Sequence, residues 1–180
     1  TNIRIQGLDG RYTQLLRDGF PLYGGFSGGL SILQIPPLDL QQFEIIKGSS
    51  STLYGGGAIA GLINMVSKTP NEEPALDIML TQTQALGSTA NVFYSKRNEK
   101  FGISLYGSGH YQKAYDPEDD GFSNLPKTKS ISFNPKFFYY SSDKTTFWFG
   151  LNTTYDDRTG GDITKIESGE NGIHQYTEEN

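Results

Sequence analysis

Residues 44–70 read EIIKGSSSTLYGGGAIAGLINMVSKTP, and the rest of the chain is organised around them. A short strand-like run (Phe43, Ile45, Ile46) feeds a Gly-Ser turn. After a compact segment at Leu53-Tyr54 come three consecutive glycines, Gly55, Gly56 and Gly57. Leu62, Ile63, Met65 and Val66 then make a second apolar run that stops at Thr69-Pro70. Glycine triplets occur where backbone passes close to backbone or takes φ > 0. The three are therefore expected to be structural, marking a tight crossover between two strands.

Two nucleotide-binding readings of this stretch fail. Gly48 to Gly55 loosely resembles a phosphate loop, but no Lys-Ser or Lys-Thr pair follows to reach the phosphates. Gly55-x-Gly57-x-x-Ala60 formally fits a dinucleotide fingerprint, which requires a strand before it and a helix after it. The residues after it are β-branched, include Gly61 and stop at Pro70, leaving too little room for a helix.

Composition narrows the class. At 180 residues the chain holds one domain or one and a half, and it has no cysteine for disulfides or a thiolate metal site. A net charge of −5 argues against nucleic acid as a partner. Aromatics at 13% and 22 glycines favour a β-rich chain with many tight turns. Mean hydropathy is −0.48 and no run of apolar residues is long enough for a transmembrane helix. Membrane β-strands stay open, because their alternation averages out.

Upstream, residues 1–6 and 12–17 read as strands, the second closed by Asp18-Gly19, a hairpin signal. FPLYGGFSGG (20–29) is a glycine-rich loop carrying Tyr23 and Phe26, aromatics that suit a ligand-facing apex. Pro36-Pro37 breaks the chain, and a turn of helix is expected over Leu38–Gln42. Glu44 sits between apolar neighbours, and if buried needs a partner from Arg4, Arg11, Arg17 or Lys47.

From Asn71 the texture changes, and a boundary is expected with domains at 1–72 and 73–180. Five period-2 strands follow, around 76–80, 90–95, 101–106, 131–140 and 146–152. Links at 97–100 and 141–144 are short, whereas 113–129 and the tail from Asp156 are long. Short turns at one end and long loops at the other are the asymmetry of outer-membrane barrels. Tyr94, Tyr106, Tyr111, Tyr139, Tyr140 and Tyr155 lie near strand ends, as an interfacial girdle would. Pro135 removes a ladder donor and is expected at a bulge.

Asp116, Glu118 and Asp120, followed by Gly121, resemble the front half of a calcium loop, but Lys127 occupies the position of its last ligand. A solvated acidic loop is the default there. His110 and His174 are too few and too far apart for zinc. No catalytic arrangement, and so no enzyme, is read from the chain, and no cofactor is expected.

IPPLDLQQFEIIKGSSSTLYGGGAIAGLINMVSKTP resembles the C-terminal half of the plug domain of TonB-dependent outer-membrane receptors. The matching features are Glu44, Lys47-Gly48, Leu53-Tyr54-Gly55, Gly61-Leu62-Ile63-Asn64 and Lys68-Thr69-Pro70, with Asp18-Gly19-Phe20-Pro21 upstream. Gln6 and Ser49 depart from the Arg and Pro common in the family. The resemblance implies a mainly β fold: a plug domain, a small mixed sheet with short helices, followed by antiparallel strands of a large transmembrane β-barrel. It further implies a Gram-negative outer-membrane location, contact with outer-membrane lipid, and uptake of a scarce nutrient, foremost an iron-siderophore or similar chelate. The TonB energy-transducing protein would engage a segment missing here, so the chain is expected to be a piece of a longer polypeptide. Ligand contacts are expected from Tyr23, Phe26, Arg11, His110 and Tyr115. The rival is a secreted or surface β-sandwich binding carbohydrate or protein.

Overall fold

A computed structural model describes residues 5, 7–8, 12–21, 38–48, 58–168 and 176–179. Backbone contacts divide the chain into Thr1–Thr69 and Pro70–Asn180, a division three residues before the expected one.

The first unit is a four-stranded mixed sheet of β1 (Thr13–Arg17), β2 (Phe20–Pro21), β3 (Leu40–Lys47) and β4 (Gly61–Ser67). Its order is β2-β1-β4-β3, with β1 parallel to β4 and the other pairs antiparallel. Asp18 and Gly19 join β1 to β2 with φ of 50° and 82°, the two positive values that a tight hairpin of this twist requires. The Asp18 carboxylate accepts the backbone N–H and the hydroxyl of Ser67 at 2.8 and 2.9 Å, tying the hairpin to β4. Central β4 is apolar and almost entirely buried, including Leu62, Ile63 and Met65, as a strand enclosed on both faces must be.

One expectation changes here. Leu40–Gln42 begins β3 rather than a helix, because Leu40 enters the ladder opposite Ser67. Asp39, just before the strand, forms a nearly buried ion pair with Arg17. Glu44 is exposed and needs no cation, accepting from Asn64 Nδ2 at 2.8 Å and Gln42 Nε2 at 2.9 Å. Of residues 1–6 only Ile5 is described, bridging Leu8 around Gly7. Gly55, Gly56 and Gly57 lie outside the described residues. The strict glycine requirement appears at Gly61, with φ of 143° and the Ile46 carbonyl where a Cβ would go.

The second unit is an antiparallel sheet of β5 (Ala75–Gln82), β6 (Gly87–Arg97), β7 (Phe101–Gln112), β8 (Lys127–Ser142), β9 (Thr145–Gly150), β10 (Thr153–Gly160) and β11 (Tyr176–Glu179), with α1 at Ile163–Ser168. Neither β10 nor β11 was foreseen: the tail expected to be a long loop from Asp156 continues the sheet to Gly160 and returns as β11. β6, β7 and β8 run 11, 12 and 16 residues, enough to cross a bilayer at the usual tilt.

Register sorts the residues into two faces. Leu76, Ile78, Leu80, Val92, Ile103, Ile131, Phe133, Phe137, Phe147 and Phe149 share one. Asn91, Ser95, Ser104, Ser108, Ser132, Asn134 and Trp148 share the other, with Phe93, Tyr106 and Phe138 among them. In a soluble sandwich the apolar face would be covered by a second sheet. Here Leu76, Leu80 and Phe149 are 62%, 76% and 62% exposed, which suits lipid. The expected girdle splits: Tyr94, Tyr111, Tyr139 and Tyr155 lie on the apolar face. Tyr106 and Tyr140 point the other way, Tyr106 donating to Asn91 Oδ1 at 2.7 Å and Tyr140 stacked under Arg97 at 3.7 Å.

No bulge occurs at Pro135, whose register with β7 is unbroken. Instead the neighbouring strand is interrupted: β9 and β10 both pair with β8, on either side of Leu151-Asn152. The bulge in β8 lies between Tyr140 and Ser142.

Candidate ligand-facing loops

One end of the second unit carries the long connection 113–126, beside the short hairpin turn that joins β5 to β6. β5 and β6 are joined by Thr83–Leu86, β7 and β8 by residues 113–126. At the opposite end the turns are Asn98–Lys100 and Asp143-Lys144. Strand polarity thus gathers the long segments on one side, where a barrel of this kind meets the outside.

Each loop is built from its own side chains. Gln112 donates to the carbonyls of Ala85 and Lys113, fastening the end of β7 to the neighbouring turn. Tyr115 bridges Leu125 and closes the base of the 113–126 loop. Inside it, Asp116 accepts the N–H groups of Glu118 at 3.0 Å and Gly121 at 2.8 Å. Desolvation pushes the Asp116 carboxyl up, but N–H donors from Gly121, Glu118, Asp119 and Asp120 together hold it below the ordinary value. Asp120 accepts from Phe122 N–H. These acids therefore serve the turn, and no group of three His, Cys, Asp or Glu suited to a metal exists among the described residues.

The next connection packs on this loop. Phe122 bridges Asp162, Ser123 N–H donates to the Gly161 carbonyl at 2.9 Å, and Gly161 N–H returns to Ser123 Oγ. Asp162 caps α1, accepting the Thr164 hydroxyl and the N–H groups of Thr164 and Lys165. The Thr164 hydroxyl, more than any other group, lowers its carboxyl below the usual value. This lacing through Ser123 and Asp162 was missed from sequence. Asp162 before an Ile-Thr-Lys run was the available signal, an N-cap residue.

His110 and Tyr115 are thus placed at the long-loop end, on one strand and the loop leaving it. His110 meets Thr89 Oγ1 through Nδ1 at 2.8 Å. Tyr23, Phe26 and Arg11 lie outside the described residues. Deeper on the same face, Asn91–Tyr106, Arg97–Tyr140 and Lys136–Trp148 satisfy one another, the last pair at 4.7 Å. Among the described residues the arrangement offers aromatic, imidazole and hydroxyl groups at a rim.

A small mixed sheet followed in sequence by an antiparallel sheet with one apolar and one polar face is the combination of a plug domain and strands of a transmembrane β-barrel. The TonB-dependent Receptor Plug Domain model matches residues 1–62. The vitamin B12 transporter BtuB of Vibrio vulnificus is 26% identical over 164 residues, covering 86% of this chain and 26% of that protein. Among solved structures, the open form of the ferric-catecholate import receptor Fiu of E. coli has a TM-score of 0.63 at 20% identity, covering 88% of this chain and 22% of its own. A mutant of the ferric enterobactin receptor PfeA of Pseudomonas aeruginosa has a TM-score of 0.66 at 14% identity, over 96% of this chain and 30% of its own. Together these likenesses support a fragment of a TonB-dependent receptor of the Gram-negative outer membrane. It spans about a quarter of the length of the curated relative it matches.

Proposed function

We propose that the chain is the C-terminal part of the plug, residues 1–72, and the first barrel strands with their loops, residues 73–180, of a receptor that imports a ferric chelate. The observation that carries this reading is the plug match over residues 1–62, continuing into strands that alternate between lipid and lumen. Transport then follows from binding at outward loops and a rearrangement of the plug driven by TonB, which engages a segment other than these residues. The polar face and rim bind and pass a solute rather than transform it. Iron is preferred as cargo because the structural neighbours are named as ferric-chelate receptors. Tyr23, Phe26 and Arg11 on the plug, and His110 and Tyr115 on the wall, are proposed to contact that cargo.

The test is uptake in cells expressing the full-length receptor, with ferric catecholate and a cobalamin supplied as separate labelled probes. Accumulation of labelled iron that stops when TonB is deleted supports the reading. Uptake of cobalamin alone replaces the cargo, and accumulation indifferent to TonB removes the mechanism. Replacing Tyr23 and Phe26 together by Ala is expected to weaken iron-chelate binding while leaving heat stability nearly unchanged. Unaltered affinity with lowered stability would mean that the two rings only pack the plug.

A further inference from the structure

The first unit ends at Thr69 and β5 begins at Ala75, and the chain is fastened between them before the strand starts. Ala75 pairs with Ser95, so the register would set Glu73 opposite Arg97. Instead Arg97 donates its backbone N–H to the Asn71 carbonyl at 2.7 Å. Residues 72–74 are therefore looped out, and the chain is pinned behind the loop.

Pro70, within the same unit, is seated beside that bond. It is buried, and a Cβ added to Gly102 would come to 2.8 Å from Pro70 Cγ, 3.2 Å from Tyr140 Cε2 and 3.4 Å from Phe138 Cβ. Gly102 has no positive φ, so β7 does not need glycine there for its own backbone. The missing side chain is the room into which the proline ring fits, the close approach that a strand glycine marks. Arg97 covers the Tyr140 ring at 3.7 Å, and Phe138 stacks on Tyr140 with ring centroids 6.3 Å apart. All four residues of this seat lie on the polar face at the short-turn end.

We propose that Pro70 is a positioning residue for transport: seated against Gly102, it keeps tension in the plug from reaching β5. This rests on the reading above that TonB drives the plug into another arrangement. The bonds of an antiparallel ladder lie across the strands. Tension arriving sideways at Ala75 would fall on the end pair first and open the others in turn. Tension arriving at Pro70 first meets a rigid ring held by two aromatic residues, and then the Arg97–Asn71 bond. The loop at 72–74 is slack, so a small shift of the ring is not passed on to Ala75. Proline suits the task because its φ is fixed and its ring has no rotamer freedom to lose on seating. The plug can then be rearranged repeatedly without unzipping the strand that follows it.

Force spectroscopy on the full-length receptor in liposomes, pulled from its N-terminal end, tests this. The unaltered receptor is expected to release chain as far as residue 70 and then hold. Gly102→Leu fills the seat, and Pro70→Ala empties it without adding bulk. Each should release residues 71–82 as well, roughly 40 Å more at about 3.4 Å per residue. Pro70→Ala serves if Gly102→Leu fails to assemble. In cells, both variants should lose maximal uptake per surface receptor about tenfold, with the half-saturating concentration unchanged. The probe is whichever of ferric catecholate and cobalamin the unaltered receptor takes up. The force measurement uses neither cargo nor TonB, so it judges the clamp separately from the proposed function. Equal release from the unaltered receptor and both variants overturns the proposal, as does full uptake per receptor in both variants.

Discussion

Leu151 donates its N–H to the Pro135 carbonyl at 3.0 Å, and Pro135 has no N–H to return. In an antiparallel ladder such a pair normally exchanges two bonds. The missing one falls at the gap between β9 and β10, so a proline in β8 interrupts the neighbouring strand instead of bending its own. On the β7 side Pro135 stands opposite Leu105 and the register does not break. Pro135→Val restores the donor. Slower amide exchange at Asn152 and Thr153 is expected, with stability changed by no more than about 1 kcal/mol. Unaltered exchange would mean that something other than the proline sets the break.

Phe133 and Ser132 are neighbours on opposite faces of β8 near mid-wall, Phe133 more than half exposed and Ser132 bonded to Thr154 Oγ1 at 3.0 Å. In the intact receptor, Phe133→Arg should cost about 2–4 kcal/mol, because the charge enters lipid at depth. Ser132→Arg should cost much less, since it faces the polar side. Urea unfolding in liposomes measures both. Equal costs would count against the assignment of faces.

Gly61 opens β4 at φ of 143°, with the Ile46 carbonyl inside contact distance of any added Cβ. Gly61→Ala should therefore destabilise the plug by more than the ~1 kcal/mol of an ordinary Gly-to-Ala change. Gly107→Ala in β7, with open space around it, should be neutral or mildly favourable. Protease susceptibility of the plug in the assembled receptor separates the two. Plug resistance that survives Gly61→Ala would show that the backbone relaxes there.

The wall was legible in the sequence because period-2 alternation assigns each residue's face without tertiary information, as Ile103 and Ser104 show. The Asp18-Gly19 hairpin was legible for the same local reason. What escaped notice depends on pairs distant in sequence. Leu38–Gln42 looked like a turn of helix because the ties that hold it extended are remote: Asp39 pairs with Arg17, 22 residues away. Pro135 looked like a bulge because its effect falls on another strand. Tyr106 looked like a strand-end residue, but β7 runs on to Gln112, and its parity, opposite to that of Tyr111, turns it to Asn91. The lacing of residues 113–126 to 161–168 runs largely through backbone groups such as Ser123 N–H and the Gly161 carbonyl, and of its side chains Asp162, as an N-cap, was the one with a sequence signal.

That lacing should depend on acid. Asp116 and Asp162 are exposed loop carboxylates held below their ordinary value of 3.8 by N–H and hydroxyl donors. A carboxylate whose folded value is depressed stabilises the fold fully above its unfolded value, and that contribution is lost as pH falls through the folded one. Loop order should thus be constant from neutral pH down to about 5 and decline below roughly 4. Amide protection at Gly121 and Lys165, corrected for intrinsic exchange, reports the two sites separately. Asp116→Asn should remove the acid response at Gly121 and leave it at Lys165, while Asp162→Asn should do the converse. If both amides lose protection together in either variant, the loops open as one unit. Protection that is flat down to pH 3 in the unaltered receptor would show that the carboxylates do not hold the turns.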